Sequence, residues 1–245
     1  MKMFLTVSIL LMVNAGFCFG APINGGFESG LTGWTSAYED DGKDSVSHSN
    51  ELYTTTDYYY SGANALWGKA AIVGNTGDPG PPWNPPGRDW SHTHIWSGLT
   101  NLTNVTSIKL YLTDFQYSSD HTTWGWGQEV FLALSDGTYT AQALLVENHE
   151  HPYATPQPYT TSVGSDIRTW FGFDIALTQA NFGPDLANLN KSSAMVGVYW
   201  EADSWDYASR TLWAGAAVDD IQLIPEPATI SLLAFGGLFL LRRKK

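Results

Sequence analysis

The sequence predicts an all-β protein, a single β-sandwich domain between two short apolar ends. Three observations point there. Strand-like segments recur between clusters of Gly, Asn, Asp, Pro and Ser, no stretch keeps a 3.6-residue apolar period for long, and residues 21–224 suffice for one sizeable core. The clearest alternation runs from Ser107 to Phe115, where Ile108, Leu110 and Leu112 face one way and Lys109, Tyr111 and Thr113 the other. Further strands are expected over Glu129 to Leu134, Tyr139 to Glu147, Thr169 to Ile175, Ala194 to Trp200 and Ala216 to Leu223. Asp136-Gly137 predicts a hairpin turn, and the run T-Q-A-N-F from Thr178 a short helix. The stretch from Gly74 to Asp89, with five prolines and Trp83, is too long for a turn and reads as a rim loop.

Both ends read as addresses. Lys2, the apolar stretch from Met3 to Val13 and the small residues Gly16, Gly20 and Ala21 have the charge, length and exit of a secretory signal peptide, residues 1–20. Phe17 is too bulky for lipoprotein processing at Cys18, the only cysteine, so the domain is stabilised by burial without a disulfide. At the other end, Pro225-Glu226-Pro227 precedes an apolar run, Ala228 to Leu241, and then Arg242, Arg243, Lys244 and Lys245. That run is short against the roughly 20 residues a bilayer core requires, and the terminal cations favour the cytoplasmic side. A short transmembrane helix over 228–241 is expected, with the chain ending inside and its bulk outside the inner membrane.

Residues 21–224 hold 7 Lys and Arg against 23 Asp and Glu. Such a field repels phosphate backbones, which excludes nucleic acid as a partner, and it disfavours acidic polysaccharides unless cations bridge the two. Neutral glycans or calcium-dependent contacts fit it better.

Eleven tryptophans are too many for one site. Trp34, Trp67 and Trp213 lie in or beside expected strands and read as core. Trp83, Trp90 and Trp96 belong to the rim loop and its exit, where the rings either stack on sugar faces or pin the loop. Trp124-Gly125-Trp126 sets two rings on one side of a strand roughly 6.6 Å apart, which makes a flat platform or a cross-strand core contact. His92-Thr93-His94, with His121 and His149-Glu150-His151, would offer a metal ligand pair on a strand, although the flanking residues place both pairs in loops. Glu201 and Asp203, with Asp206 beyond, would form a carboxylate pair on one strand face, the spacing a retaining glycosidase needs, or simply solvated acids. Finally, period-2 alternation puts Asp219 on one face with Ala217, Ile221 and Leu223, where a carboxylate is costly unless hydrogen bonds or a cation satisfy it.

Two resemblances add to this reading. The motif Pro225-Glu226-Pro227, the short apolar run and the basic end with Arg242 and Arg243 resemble the PEP-CTERM sorting signal of bacterial surface proteins. The resemblance implies that residues 225–245 are recognised by an exosortase-type membrane enzyme, which delivers the protein to the cell surface or its extracellular matrix. In the domain, I-N-G-G-F-E-S-G-L-T-G-W (Ile23 to Trp34), S-G-A-N-A-L-W (Ser61 to Trp67) and A-V-D-D-I-Q-L (Ala217 to Leu223) are similar to the first strand, an early turn and strand, and the last strand of carbohydrate-binding-module jelly rolls. That resemblance implies a jelly-roll β-sandwich, a polysaccharide ligand, and a structural calcium held by Glu28 and Asp219, with Asp220 as a further candidate. The alternative for Asp219 is that it accepts backbone N–H bonds. The expectation is an exported, non-catalytic glycan-binding domain, with Trp83, Trp90, Trp96, Trp124 and Trp126 as its ligand-binding rings. A structural matrix protein that self-associates is the alternative, and a glycoside hydrolase or lyase a third.

Overall fold

The computed structural model describes residues 24–40, 47–57, 59–73, 89–117, 125–148, 169–204 and 211–226. The expected signal peptide, the loop with Trp83, the residues Trp124, His121, His149, Glu150, His151, Asp206, Pro227, Arg242 and Arg243, and the C-terminal apolar run all lie outside them. Among the described residues no helix is long and apolar enough to cross a membrane.

Among the described residues eleven strands form two sheets: β1 (Trp34–Asp40), β2 (Ser47–His48), β3 (Glu51–Thr55), β4 (Ala65–Val73), β5 (Asp89–Ser97), β6 (Val105–Tyr117), β7 (Gly125–Ser135), β8 (Thr140–Asn148), β9 (Phe171–Ala176), β10 (Met195–Ser204) and β11 (Thr211–Pro225). One sheet has the order β1-β5-β10-β7-β8 and the other β2-β4-β11-β6-β9, with β3 also paired to β4, and every pair is antiparallel. From β4 onward the chain changes sheet at every step except the β7–β8 hairpin, the winding of a jelly-roll sandwich. The hairpin turns at Asp136-Gly137, with Gly137 at φ 86°, as expected. The helix expected near Thr178 is α1 (Gln179–Phe182), a single turn followed by a 3-10 turn at Pro184–Ala187.

The core lies between the sheets. Ile108, Leu110 and Leu112 of β6 meet Val130, Leu132 and Leu134 of β7 and Val196, Val198 and Trp200 of β10, all fully buried. Full burial of an aliphatic side chain of this size is worth roughly 1.5–3 kcal/mol. Trp200 is the largest of them, and its Nε1–H donates to Ala216 O in the opposite sheet at 3.2 Å. Its ring lies against Gly68 of β4, where a methyl group would collide with it. Thr93 adds a second tie, its hydroxyl donating to Lys69 O at 2.6 Å.

Two bulges shift the side-chain alternation. Asp114 in β6 has φ 52°, which turns Phe115 into the same core as Leu112. Asp220 in β11 also has φ 52°, and the β6–β11 register slips between Asp219 and Gln222. This corrects the expectation for Asp219. The extra residue rotates Ile221 into the core with Val218, leaving Asp219 with Ala217 on the outer side of the sheet. The first strand is also corrected: residues 24–33 are turns, with Phe27, Gly30 and Gly33 at positive φ, and β1 begins only at Trp34. Trp34 joins the core as expected, its ring 5.3 Å from that of Phe27. Trp67 and Trp213 do not. Trp67 is buried on the outer side of its sheet, and Trp213 is half-buried beneath Lys69, whose Nζ stands 5.5 Å from the ring centroid.

Candidate functional site

β5 reads W-S-H-T-H-I-W-S from Trp90, and its alternation is inverted in polarity. Ser91, Thr93 and Ser97 point inward with Ile95, while Trp90, His92, His94 and Trp96 point outward. The inward polar groups are satisfied: Ser91 Oγ donates to Asn50 Oδ1 at 2.8 Å, and Ser97 Oγ accepts from Val196 N at 2.9 Å. Trp90, Trp96, His92 and His94, expected in loops, therefore stand on a central strand of the five-stranded sheet, facing out.

Neighbouring strands complete that face. In register, Tyr199 of β10 lies opposite His94, Glu201 opposite His92, Asp203 opposite Trp90, and Gly197 opposite Trp96. A side chain at Gly197 would collide with the Trp96 ring, so this glycine lets the indole lie flat across the neighbouring strand. Beyond β10, Phe131 of β7 is opposite Tyr199 and Glu129 opposite Glu201. The rings form one connected group. Tyr199 lies 4.5 Å from His94, 5.7 Å from His92 and 5.7 Å from Trp96, and Trp90 lies 4.5 Å from His92. Trp90, Trp96 and Phe131 remain half-exposed. Such half-exposed rings, rimmed by carboxylates, are what a flat apolar ligand with polar edges requires.

Burial, with help from Glu39 and Glu201, pushes the Tyr199 phenol up to about 12, so its hydroxyl keeps its proton as a donor. Burial also lowers His94 below the ordinary histidine range, against the opposing pull of Glu39 and reinforced by His92. Glu39 Oε1 is 3.9 Å from His94 Nε2, and Glu201 Oε2 is 3.4 Å from His92 Nε2. His92 and His94 thus share a strand face, but among the described residues no group of three or more His, Cys, Asp and Glu is placed to hold a metal ion. Glu201 and Asp203 share the same outer face, as the sequence suggested. Trp126 pairs in register with Asp203 at the edge of this face, and its side chain lies outside the described residues.

A separate corner holds Glu28 and Asp219. Asp219 is fully buried; its Oδ2 accepts from Tyr60 N at 2.8 Å and Ser61 N at 3.0 Å, and its Oδ1 from Asp220 N at 2.7 Å. Burial still outweighs these three bonds and pushes its carboxyl up to about 6. Glu28 Oε1 accepts from Ala63 N at 2.9 Å and Asn64 N at 3.1 Å, which lowers that carboxyl. The two acids clamp the turn that leads into β4. Asp220 Oδ2 accepts instead from Gln222 Nε2 at 2.6 Å. Calcium takes six to eight oxygens, whereas most of the groups gathered on Asp219 and Glu28 are N–H donors.

No family profile and no curated protein matches the chain. Solved structures resemble it at low identity. One, from a study of promiscuous specificity in carbohydrate-binding modules of the β-sandwich superfamily, is 10% identical with a TM-score of 0.43, over 84% of this chain and 63% of that one. The chain thus spans less than two thirds of that structure. A family 11 carbohydrate-binding module of a Clostridium thermocellum cellulosomal cellulase is 10% identical over 83% of this chain and 94% of that one, with a TM-score of 0.38. A Caldicellulosiruptor saccharolyticus module in complex with mannohexaose is 12% identical over 81% and 95%, with a TM-score of 0.37. The class of protein is a two-sheet antiparallel β-sandwich, and that rests on the chain's own strand pairing.

His94 yields a pH test. Its folded-state value lies below that of the unfolded chain, so the folded protein binds fewer protons as pH falls through the histidine range, and stability present above that range is lost on acidification. Urea unfolding at neutral and at mildly acidic pH should show this loss in the wild type and a smaller one in His94→Gln. Equal losses would remove His94 as its source.

Proposed function

We propose that the domain is a non-catalytic glycan-binding module whose ligand lies on the outer face of the five-stranded sheet. One observation carries this reading: Trp90, Trp96 and Phe131 stand partly exposed around the buried ring of Tyr199, the four drawn from three adjacent strands, with Glu39 and Glu201 beside them and Asp203 buried at their edge. Sugar rings present apolar C–H faces to aromatic rings and hydroxyls to carboxylates, and Tyr199 supplies a donor among the acceptors. Trp90 and Trp96 were singled out in the sequence; His92, His94 and Tyr199 add the middle of the surface. Trp83, Trp124 and Trp126 remain candidates for extending it.

The test is retention on a panel of polysaccharides in affinity electrophoresis. Trp96→Ala should weaken binding at least tenfold, about 1.4 kcal/mol, without lowering the melting temperature much, because the ring is half-exposed. No retention on any glycan by the folded wild type would sink the proposal and favour self-association as a matrix protein, which sedimentation would then reveal.

Calcium at Glu28 and Asp219, with Asp220 near, belongs to the same proposal. Asp219 is a buried carboxylate that a cation would keep ionised. A melting temperature raised by calcium, lowered by chelator and insensitive to both in Glu28→Gln would support it; indifference of the wild type leaves the N–H clamp as the whole role of the corner.

Delivery to the surface through residues 225–245 and an exosortase-type enzyme is likewise proposed from the motif. The last strand runs through Pro225, and Glu226 N donates to Asn104 O at 2.7 Å, so the motif starts where the sheet ends. Replacing Pro225, Glu226 and Pro227 with alanine should leave the protein in the membrane fraction, and unchanged release would refute the assignment.

A further inference from the structure

The outer face of the six-stranded sheet holds a second aromatic group, which the glycan-binding reading does not use. Tyr111 of β6 alternates with the buried Leu110 and Leu112 and so points outward, opposite Gly172 of β9 and Asp219 of β11. A methyl group at Gly172 would stand 3.0 Å from the Tyr111 ring, so this glycine is the floor on which the ring lies. Tyr60, in the turn before β4, stacks on the same ring, with centroids 3.4 Å apart and planes inclined by 14°. Trp170 meets Tyr60 edge-on at 6.1 Å. The Tyr60 hydroxyl shares a hydrogen bond with that of Tyr111.

Aromatic pairs prefer an offset or edge-on arrangement to a face-to-face sandwich, so this overlay is imposed from outside the pair. The turn supplies the constraint. Tyr60 N and Ser61 N donate to Asp219, and Ala63 N and Asn64 N to Glu28, which pins the turn against the sheet. Rings stacked head to tail would hold their hydroxyls at opposite ends, so the bond between the hydroxyls means that both point the same way. The ring carbon beside one hydroxyl therefore faces its counterpart beside the other. These are the positions at which phenoxyl radicals carry unpaired electron density and couple. Tyr60 is 44% exposed, open to an oxidant from solvent, and its ring stands on a turn, where a tilt brings the two carbons together.

We propose that Tyr60 and Tyr111 are a cross-linking site, joined by a carbon–carbon bond between the ring positions beside their hydroxyls when a haem peroxidase and a peroxide supply the oxidant. Each phenol loses one electron and one proton, the two radicals couple, and the ring hydrogens at the new bond move to the oxygens, which restores both hydroxyls. The peroxide takes up the two electrons and two protons and leaves as water. Residues 21–224 contain no cysteine, so no disulfide within the domain can fasten it. The tyrosine bond closes the chain between residues 60 and 111 and holds in place the turn whose N–H groups satisfy Asp219 and Glu28. Like a disulfide, it stabilises by restricting the unfolded chain.

Peptide mapping by mass spectrometry tests it, on dilute full-length protein treated with a haem peroxidase and hydrogen peroxide. The expected product is an intramolecular link between Tyr60 and Tyr111, lighter by two hydrogen atoms than the separate peptides. Tyr60→Phe should abolish it, and Tyr53→Phe, a similarly exposed tyrosine on the same sheet, should leave its yield unchanged. The linked protein should melt several degrees above the untreated one, and treated Tyr60→Phe should not. Absence of the Tyr60–Tyr111 link overturns the proposal, as do links spread over the exposed Tyr38, Tyr53, Tyr59 and Tyr139, since exposure alone would then decide reactivity. A link that leaves the melting temperature unchanged overturns the fastening role.

Discussion

The position of Trp200 decides much of the rest. Its indole lies between the sheets, donates to Ala216 O across the core and rests on the space that Gly68 leaves open. Strand side chains alternate, so a ring fixed inward at Trp200 turns Tyr199 and Glu201 outward. The antiparallel register then carries that choice to His94 and His92 on one side and to Phe131 and Glu129 on the other. The aromatic face is in this sense the reverse side of the core.

The same coupling fixes the register. Glu39, His92, Glu201, Glu129 and Glu147 pair in sequence across the five strands of that sheet. A one-residue shift would send Tyr199 inward and Trp200 into solvent. On the opposite sheet the arrangement differs: Asp219 is buried under the turn that precedes β4, and three N–H groups face it. The Asp220 bulge makes this possible, since without it Asp219 and Ile221 would point the same way.

The strands with ordinary polarity were legible in the sequence. β6 showed its apolar side at Ile108, Leu110 and Leu112, and the hairpin at Asp136-Gly137 and the turn of helix after Thr178 followed from local chemistry. β5 was not legible as a strand. Its inward residues are Ser91, Thr93 and Ser97, and its outward ones are the large rings, so the usual rule that apolar residues face inward misreads it as a loop. The signal that could have identified it was the strict alternation itself, large and small, from Trp90 to Ser97. The bulges at Asp114 and Asp220 were hidden for a related reason, because nothing in a period-2 pattern marks where one residue is skipped.

By itself the sequence determined the all-β character, the acidic charge, the apolar ends and the presence of Trp90, Trp96, Glu201 and Asp203, since composition, local periodicity and turn residues act within a few positions of the chain. Only the tertiary structure decided that residues as distant as Glu39, His92, Glu129, Glu147 and Glu201 form one line. That line depends on which strands are neighbours and in what register, and both are set by the packing of the two sheets around Trp200.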